Sequence, residues 1–478
     1  MLRPGLLQLG LAAVVATALL AGQGGLLQYT FPAAALAVAV VLERRSLTAY
    51  LSFVIWLWML TPFVRRVADH QSGWHEPSLI LLAPYAASVW PPARELLVAT
   101  VRSIRAWPRL EGLGLFVVAA IGAGFGIPLG MLTAPSRAVV ETLNWWGPIA
   151  FGAYIALRTT DPAAVERALA RTLMVSSLFV GLYGIYQFQS PPVWDKEWIV
   201  NSEIASVGYA SEFELRSFST TASPAVLAFL MLPAIMLWMA RPRLWQIASV
   251  AAALGALALS EVRVAWLALL VAACLVLWRV GVRERVAFVA CLLFFAVCIA
   301  AVELPPQVSE VTSKRFMSLL RPSEDESAVS RATGHTQVFD VILDHPLGIG
   351  IGIEEQNLSQ VIGARDSLII AVFVQFGILG ATVYLLAMIA LLFRLWRYYR
   401  DAPTREGMAL GATAIGLLSM MLGGNQTAGA VGTLIWIAAG LGTVPVRARR
   451  LARHAVQSEL SPAKVVTLRP AVAPGGVE

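Results

Sequence analysis

The chain has 478 residues, of which 58% are hydrophobic and only 14% charged; 36 Lys and Arg against 29 Asp and Glu leave a net charge of +7. Soluble domains run at about 45–50% apolar and about 25% charged, so this much apolar surface cannot all be buried inside a water-soluble particle and most of it must face lipid. That excludes a soluble multidomain protein, and the positive charge is read by its location along the spans, not as a nucleic-acid-binding surface.

A bilayer core about 30 Å thick needs about 20 apolar residues per helix. Charge-poor stretches of this kind fall at 5–22, 26–42, 47–64, 77–92, 112–133, 143–157, 172–189, 223–240, 244–260, 264–279, 286–303, 367–393, 407–423 and 428–444. They predict an all-α polytopic transmembrane bundle of about fourteen spans. The count falls to about twelve if 77–92, cut by Pro84 and ending at Pro91-Pro92, and the short 143–157 are re-entrant or tilted. Arg3 before an apolar run also fits a signal peptide, but the run passes almost directly into the next span, so a retained first helix is expected.

Alternate loops are basic. Arg44 and Arg45, then Arg94, Arg102, Arg105 and Arg109, then Arg158, Arg167 and Arg171, mark the first three; Arg241 and Arg243, Arg279, Arg283 and Arg285, and Arg394, Arg397, Arg400 and Arg405 mark the next. The tail 445–478 adds Arg447, Arg449, Arg450 and Arg453. The positive-inside rule then puts both termini in the cytoplasm. The division expected is 1–303 for the first eleven spans with an external loop at 190–222, a large external loop at 304–366, three further spans over 367–444, and a basic cytoplasmic tail. Cys274, Cys291 and Cys298 all sit in apolar runs, which indicates neither a disulfide framework nor a thiolate metal site.

The spans are nearly free of charge, and the unusual charges gather at external helix ends: Arg65 and Arg66, Arg216, Arg263 in the tight turn SEVRVAW, Arg331, Arg365 and Asp366. A single arginine there can be an anchor that snorkels to headgroups. A set of guanidiniums at one depth can instead bind phosphate oxygens in bidentate fashion. In the large loop, Ser330 to Leu343 has helical apolar spacing, with Arg331 and His335 on one face and Asp340 and Asp344 on another. Pro346 and glycines 348, 350 and 352 end that helix in a turn that can bring backbone amides close to a ligand. The run lacks the ending of a nucleotide-binding loop. His335 and His345 are too far apart for a helical metal pair, so neither metal nor cofactor is expected. Glu324-Asp325-Glu326 reads as a solvated loop tip.

Together these residues resemble the O-antigen ligase/polymerase superfamily of bacterial membrane enzymes, over roughly residues 175–395. The resemblance is carried by Arg216 with SFSTTASPAVLAFLMLP, by Ser260-Glu261-Val262-Arg263-Val264-Ala265-Trp266, by Arg331, by His345-Pro346-Leu347-Gly348 with Gly350 and Gly352, and by Asp366-Ser367-Leu368 with Gln375-Phe376-Gly377-Ile378-Leu379-Gly380. It implies a GT-C-like bundle in the bacterial inner membrane, acting on an undecaprenyl diphosphate-linked oligosaccharide at the periplasmic face. Arg216, Arg263 and Arg331 would hold the diphosphate without a metal, and Asp366 would take the acceptor hydroxyl proton as the anomeric centre inverts. Arg65, Arg66, His335 and His345 would extend the donor and glycan site. Asp366 occupies the slot where ligases have His, a pattern more like the polymerases, and His335 stands where many members have Trp. An exopolysaccharide or O-antigen polymerase is therefore expected, with ligation to lipid A-core the alternative and separate chain-length and export proteins as partners. A lipid-linked glycan flippase would instead place charges inside the bundle, and an export scaffold would leave the arginines dispensable.

Overall fold

The computed structural model describes residues 4–103, 112–202, 207–290, 340, 342–352 and 367–460. The described residues form helices throughout, with a single isolated β-bridge, Gly208 to Leu215, among them. In chain order they are α1 Pro4–Leu20, α2 Gly24–Arg45, α3 Leu47–Ser72, α4 Leu82–Ser103, α5 Gly114–Gly124, α6 Ile127–Thr133, α7 Pro135–Arg158 and α8 Pro162–Gln189. Then come α9 Val193–Ser202, α10 Pro224–Ala240, α11 Ile247–Ser260, α12 Arg263–Arg279, α13 Leu368–Asp401, α14 Arg405–Ser419 and α15 Gly429–Leu460. Residues 24–45, 47–72, 114–133, 162–189 and 368–401 are long and apolar enough to cross a membrane, and 5–20, 224–240, 244–260 and 429–445 are shorter apolar helices. The chain is thus an all-helical, multi-pass membrane protein.

Several expected spans change shape. The segment predicted at 112–133 is two helices, α5 and α6, and the short 143–157 is the middle of the 24-residue α7. Pro91 and Pro92, read as an end, lie inside α4, as neighbouring helices in a bundle allow. The external loop 190–222 contains a helix, α9. The expected span 286–303 is described only to residue 290, and most of 304–366, together with Cys291, Cys298 and the tail beyond 460, lies outside the described residues.

The sequence places starts well where a short polar side chain precedes the apolar run. Ser46, Asp161, Ser223 and Thr404 each accept a backbone N–H three residues on, at the N-termini of α3, α8, α10 and α14. That satisfies donors a helix start leaves without an intrahelical partner.

The two ends of the bundle differ. At one end the basic loops meet: Arg94 pairs with Glu43 at 3.2 Å, Arg241 with Glu406 at 3.4 Å and Arg405 with Glu284 at 2.5 Å. The Glu284 carboxyl is held below its usual range by the hydrogen bond from Arg405. Glu166 is buried there and accepts from Tyr398 (2.8 Å) and Thr404 (2.5 Å), tying α8 to α13 and to the start of α14. At the other end Gln71 donates to Leu19 O (2.6 Å) and Leu368 N to Met421 O (2.9 Å). All the cavities discussed below open at this second end.

α13 is broken at Gly377, which has φ 70° and ψ −177° inside an otherwise helical run. The turn His345–Gly352 fills the break: Ile349 N donates to Val374 O at 2.8 Å, and Ile378 N to Pro346 O at 2.9 Å. A further bond, Ile351 N to Gly126 O (3.0 Å), anchors the turn at the α5–α6 junction. The glycines expected to bring amides to a ligand bring backbone to backbone instead. A Cβ on Gly348 would lie 2.5 Å from Gly377 N, and one on Gly350 would lie 2.6 Å from Gly130 N. Gly377 combines positive φ with a Cβ position 2.3 Å from Leu347 C. Gly377→Ala is therefore expected to lower stability by at least about 1–3 kcal/mol, read as a drop in thermal unfolding temperature of the detergent-purified protein, whereas Gly114→Ala, in open space, should leave it unchanged.

Candidate functional site

A cavity of about 740 Å³ opens among α3, α4, α7, the starts of α10 and α12, and the link between α14 and α15. Its walls include Trp58, Thr61, Tyr85 and Asn144, the segment Ala222–Val226, Glu261–Val264, Gly423–Asn425 and Ala428–Val431. Three of these segments are the first turns of α10, α12 and α15. Each helix start carries partial positive charge and N–H groups aimed outward, so their convergence makes an anion-attracting site.

Two guanidiniums reinforce it. Arg263 is the first residue of α12, a position where a cation gains nothing from the helix dipole. Arg216 lies against the preceding turn: its Nε donates to Ser260 O (3.1 Å) and its Nη2 to Glu261 O (3.3 Å), capping the carbonyl end of α11. Glu261 adopts the left-handed conformation, φ 55°, that turns the chain from α11 into α12. The SEVRVAW turn thus sets Arg263 beside Arg216 on one cavity wall. Glu261 contributes a carboxylate to the same wall, so the side chains leave one net positive charge, to which the three helix starts add.

Arg66 is held elsewhere. It is fully buried, its Nε 2.6 Å from Asp195 Oδ1, with its Nη1 donating to Thr221 O at 2.7 Å and its Nη2 to Ser219 O. Its guanidinium also lies over the Phe218 ring at 4.8 Å. Asp195 Oδ2 accepts from Tyr183 and Gln187, each at 2.7 Å. Gln187 Oε1 in turn receives Phe218 N (3.1 Å) and Ser219 N (2.7 Å). Arg66 therefore fixes the segment that follows Arg216 and does not line the cavity.

Arg65, its chain neighbour, borders a second cavity; it bonds Asp69 Oδ2 and His75 O, each at 3.1 Å, and stacks on Trp74. His345 is exposed, and its carbonyl closes the turn by accepting Gly348 N at 2.8 Å. Asp366, Arg331, His335 and Arg365 lie outside the described residues. Ser367, next to Asp366, is described: its neighbour Leu368 bonds Met421, two residues from the cavity residue Gly423. Among the described residues no group of three His, Cys, Asp or Glu is placed to hold a metal ion.

Residues 247–385 match the family model for O-Antigen ligase. The match runs from α11 through α12 to the first half of α13 and includes Arg263, Asp366 and Gly377, while Arg216 lies upstream of it. No curated protein matches the chain. Residues 247–385 therefore carry the likeness to the O-antigen ligase family, and the rest of the chain lies outside the match.

Tyr85, Asn144, Arg137, Glu141 and the Gly423-Gly424-Asn425 link were not legible as site residues. The first four are isolated polar positions on long helices, and only the Gly-Gly-Asn run before an apolar helix carried a local signal. Asp195→Ala is expected to strand the Arg66 charge in the interior and to cost about 3–5 kcal/mol of stability. Thermal unfolding in detergent measures it, with Asp161→Ala, a surface helix cap, expected to cost about 1 kcal/mol.

Proposed function

We propose that the protein transfers a glycan from undecaprenyl diphosphate to the hydroxyl of a lipid-linked repeat unit at the periplasmic face. The observation that carries this reading is the cavity in which Arg216, Arg263 and the first turns of α10, α12 and α15 meet between apolar walls. A polyprenyl diphosphate needs both halves of that arrangement: fixed positive charge for the phosphates and apolar surface for the chain.

In the reaction the bond between the anomeric carbon and the diphosphate oxygen breaks while the acceptor oxygen bonds to that carbon from the opposite face. Arg216 and Arg263 stabilise the charge that grows on the departing diphosphate, as fixed donors do for a developing oxyanion. The Asp366 carboxylate takes the proton of the acceptor hydroxyl as general base, and Arg331 adds to the diphosphate site. Orientation follows the arginines: the end with the basic loops faces the cytoplasm and the cavity opens outside.

Polymerisation is the first reading because an acidic residue, Asp366, opens the motif before α13, as in the polymerases that this sequence resembles. Ligation to lipid A-core is the second, favoured by the description of the matching family model. Arg263→Ala is expected to reduce transfer by about 100-fold or more, with Arg263→Lys recovering only part because lysine lacks the bidentate geometry. Lipid-linked intermediates extracted from cells carrying each variant give the readout. Single repeat units on the outer face support polymerisation, and long chains retained on the carrier support ligation. Single units retained inside, or unchanged polymer, would overturn glycan transfer in favour of a flippase or a scaffold.

A further inference from the structure

A second cavity, of about 860 Å³, adjoins the first and shares Leu81, Tyr85 and Val140 with it. Both lie within the about 300–1,000 Å³ range of small-molecule pockets, but their chemistry differs. The first turns of α4, α7 and α13 line the second as well, but its two guanidiniums, Arg65 and Arg137, are matched by two carboxylates, Glu76 and Glu141, and Ser78 and Gln375 complete the polar lining. The carboxylates offset the guanidiniums, so this lining lacks the net positive charge that a diphosphate needs. The same set, which both accepts and donates hydrogen bonds, matches sugar hydroxyls, each of which is donor and acceptor at once.

The wall between the cavities is a hydrogen-bonded partition. Tyr85 Oη donates to Asn144 Oδ1 (3.0 Å), and Asn144 Nδ2 lies 3.4 Å from Glu141 Oε2. Asn144 borders the first cavity and Glu141 the second. On α3, Thr61 lines the first and Arg65, four residues on, the second, a separation of about 6 Å along the axis. Gln375 is fixed at its Oε1 by Trp145 Nε1 (3.1 Å), which leaves its amide nitrogen as a donor.

We propose that this second cavity is the acceptor pocket, holding the terminal sugar of the lipid-linked acceptor next to the diphosphate site. The proposal rests on the glycan-transfer reading above. Two adjoining pockets, one anion-attracting and one suited to hydroxyls, are what direct transfer between two bound substrates needs, since reacting atoms must approach to about 3–3.5 Å.

The test uses the full chain in nanodiscs and, as probe, undecaprenyl diphosphate-linked oligosaccharide extracted from cells that lack this protein, with stoichiometry read by native mass spectrometry. Wild type is expected to bind two molecules. Ala371→Trp, which fills the second cavity from α13, is expected to bind one; Glu141→Gln is expected to bind both with the weaker site loosened by about tenfold. Arg263→Ala should lose the other molecule and keep the one that Ala371→Trp loses. One molecule on wild type, or two on Ala371→Trp together with an unshifted Glu141→Gln, overturns the acceptor pocket while leaving the diphosphate site intact. No binding to wild type, or no effect of Arg263→Ala, overturns the glycan-transfer reading itself.

Discussion

An anion enters an apolar bundle only where fixed positive charge replaces the water that it leaves. The proposed diphosphate site depends on that requirement. Three helices begin at one cavity, so their outward N–H groups supply partial charge that needs no side-chain ordering. Arg216 and Arg263 stand on the same wall and outweigh the one carboxylate there, Glu261. A cation at the first residue of α12 runs against the helix dipole, a cost that an anionic ligand would offset.

Holding those charges still takes a second layer of interactions. The α11–α12 turn is fixed by Arg216 itself, which caps Ser260 and Glu261. The chain after Arg216 is fixed by the buried pair of Arg66 and Asp195 through Ser219 and Thr221. On the opposite wall, the broken α13 is completed by the turn around Gly348 and Gly350, which carries Ile349 and Gly352 to the second cavity. These are interior polar contacts that a lipid-facing helix pair would not need. They are satisfied because an unpaired charge or backbone group in the bundle costs several kcal/mol, on the order of 3–5 for a broken ion pair.

The sequence made some of this legible. Arg216 and Arg263 stood out because guanidiniums at helix ends are conspicuous against spans almost devoid of charge, and the structure brings both to one cavity. Arg65 and Arg66 gave the same signal, yet adjacent positions on a helix point about 100° apart; of the two, Arg65 borders a cavity, and Arg66 turns inward to Asp195, which lies in a segment expected as an external loop. The glycines 348, 350 and 352 correctly announced close approach, but sequence does not name the partner, which proved to be the backbone of α6, α7 and α13. The helical, apolar character of the spans was readable from apolar runs, while the break between α5 and α6 coincides with a contact the runs do not show, Ile351 reaching Gly126 from more than two hundred residues away.

The most direct measurement compares undecaprenyl diphosphate with undecaprenol binding to the purified protein across a range of salt concentrations. The diphosphate lipid is predicted to bind far more tightly, to weaken as salt rises, and to fall to the level of the alcohol when Arg216 and Arg263 are both replaced by Ala. Equal affinity for the two lipids, or diphosphate binding indifferent to the loss of both arginines, would contradict an anion site at the head of α10, α12 and α15.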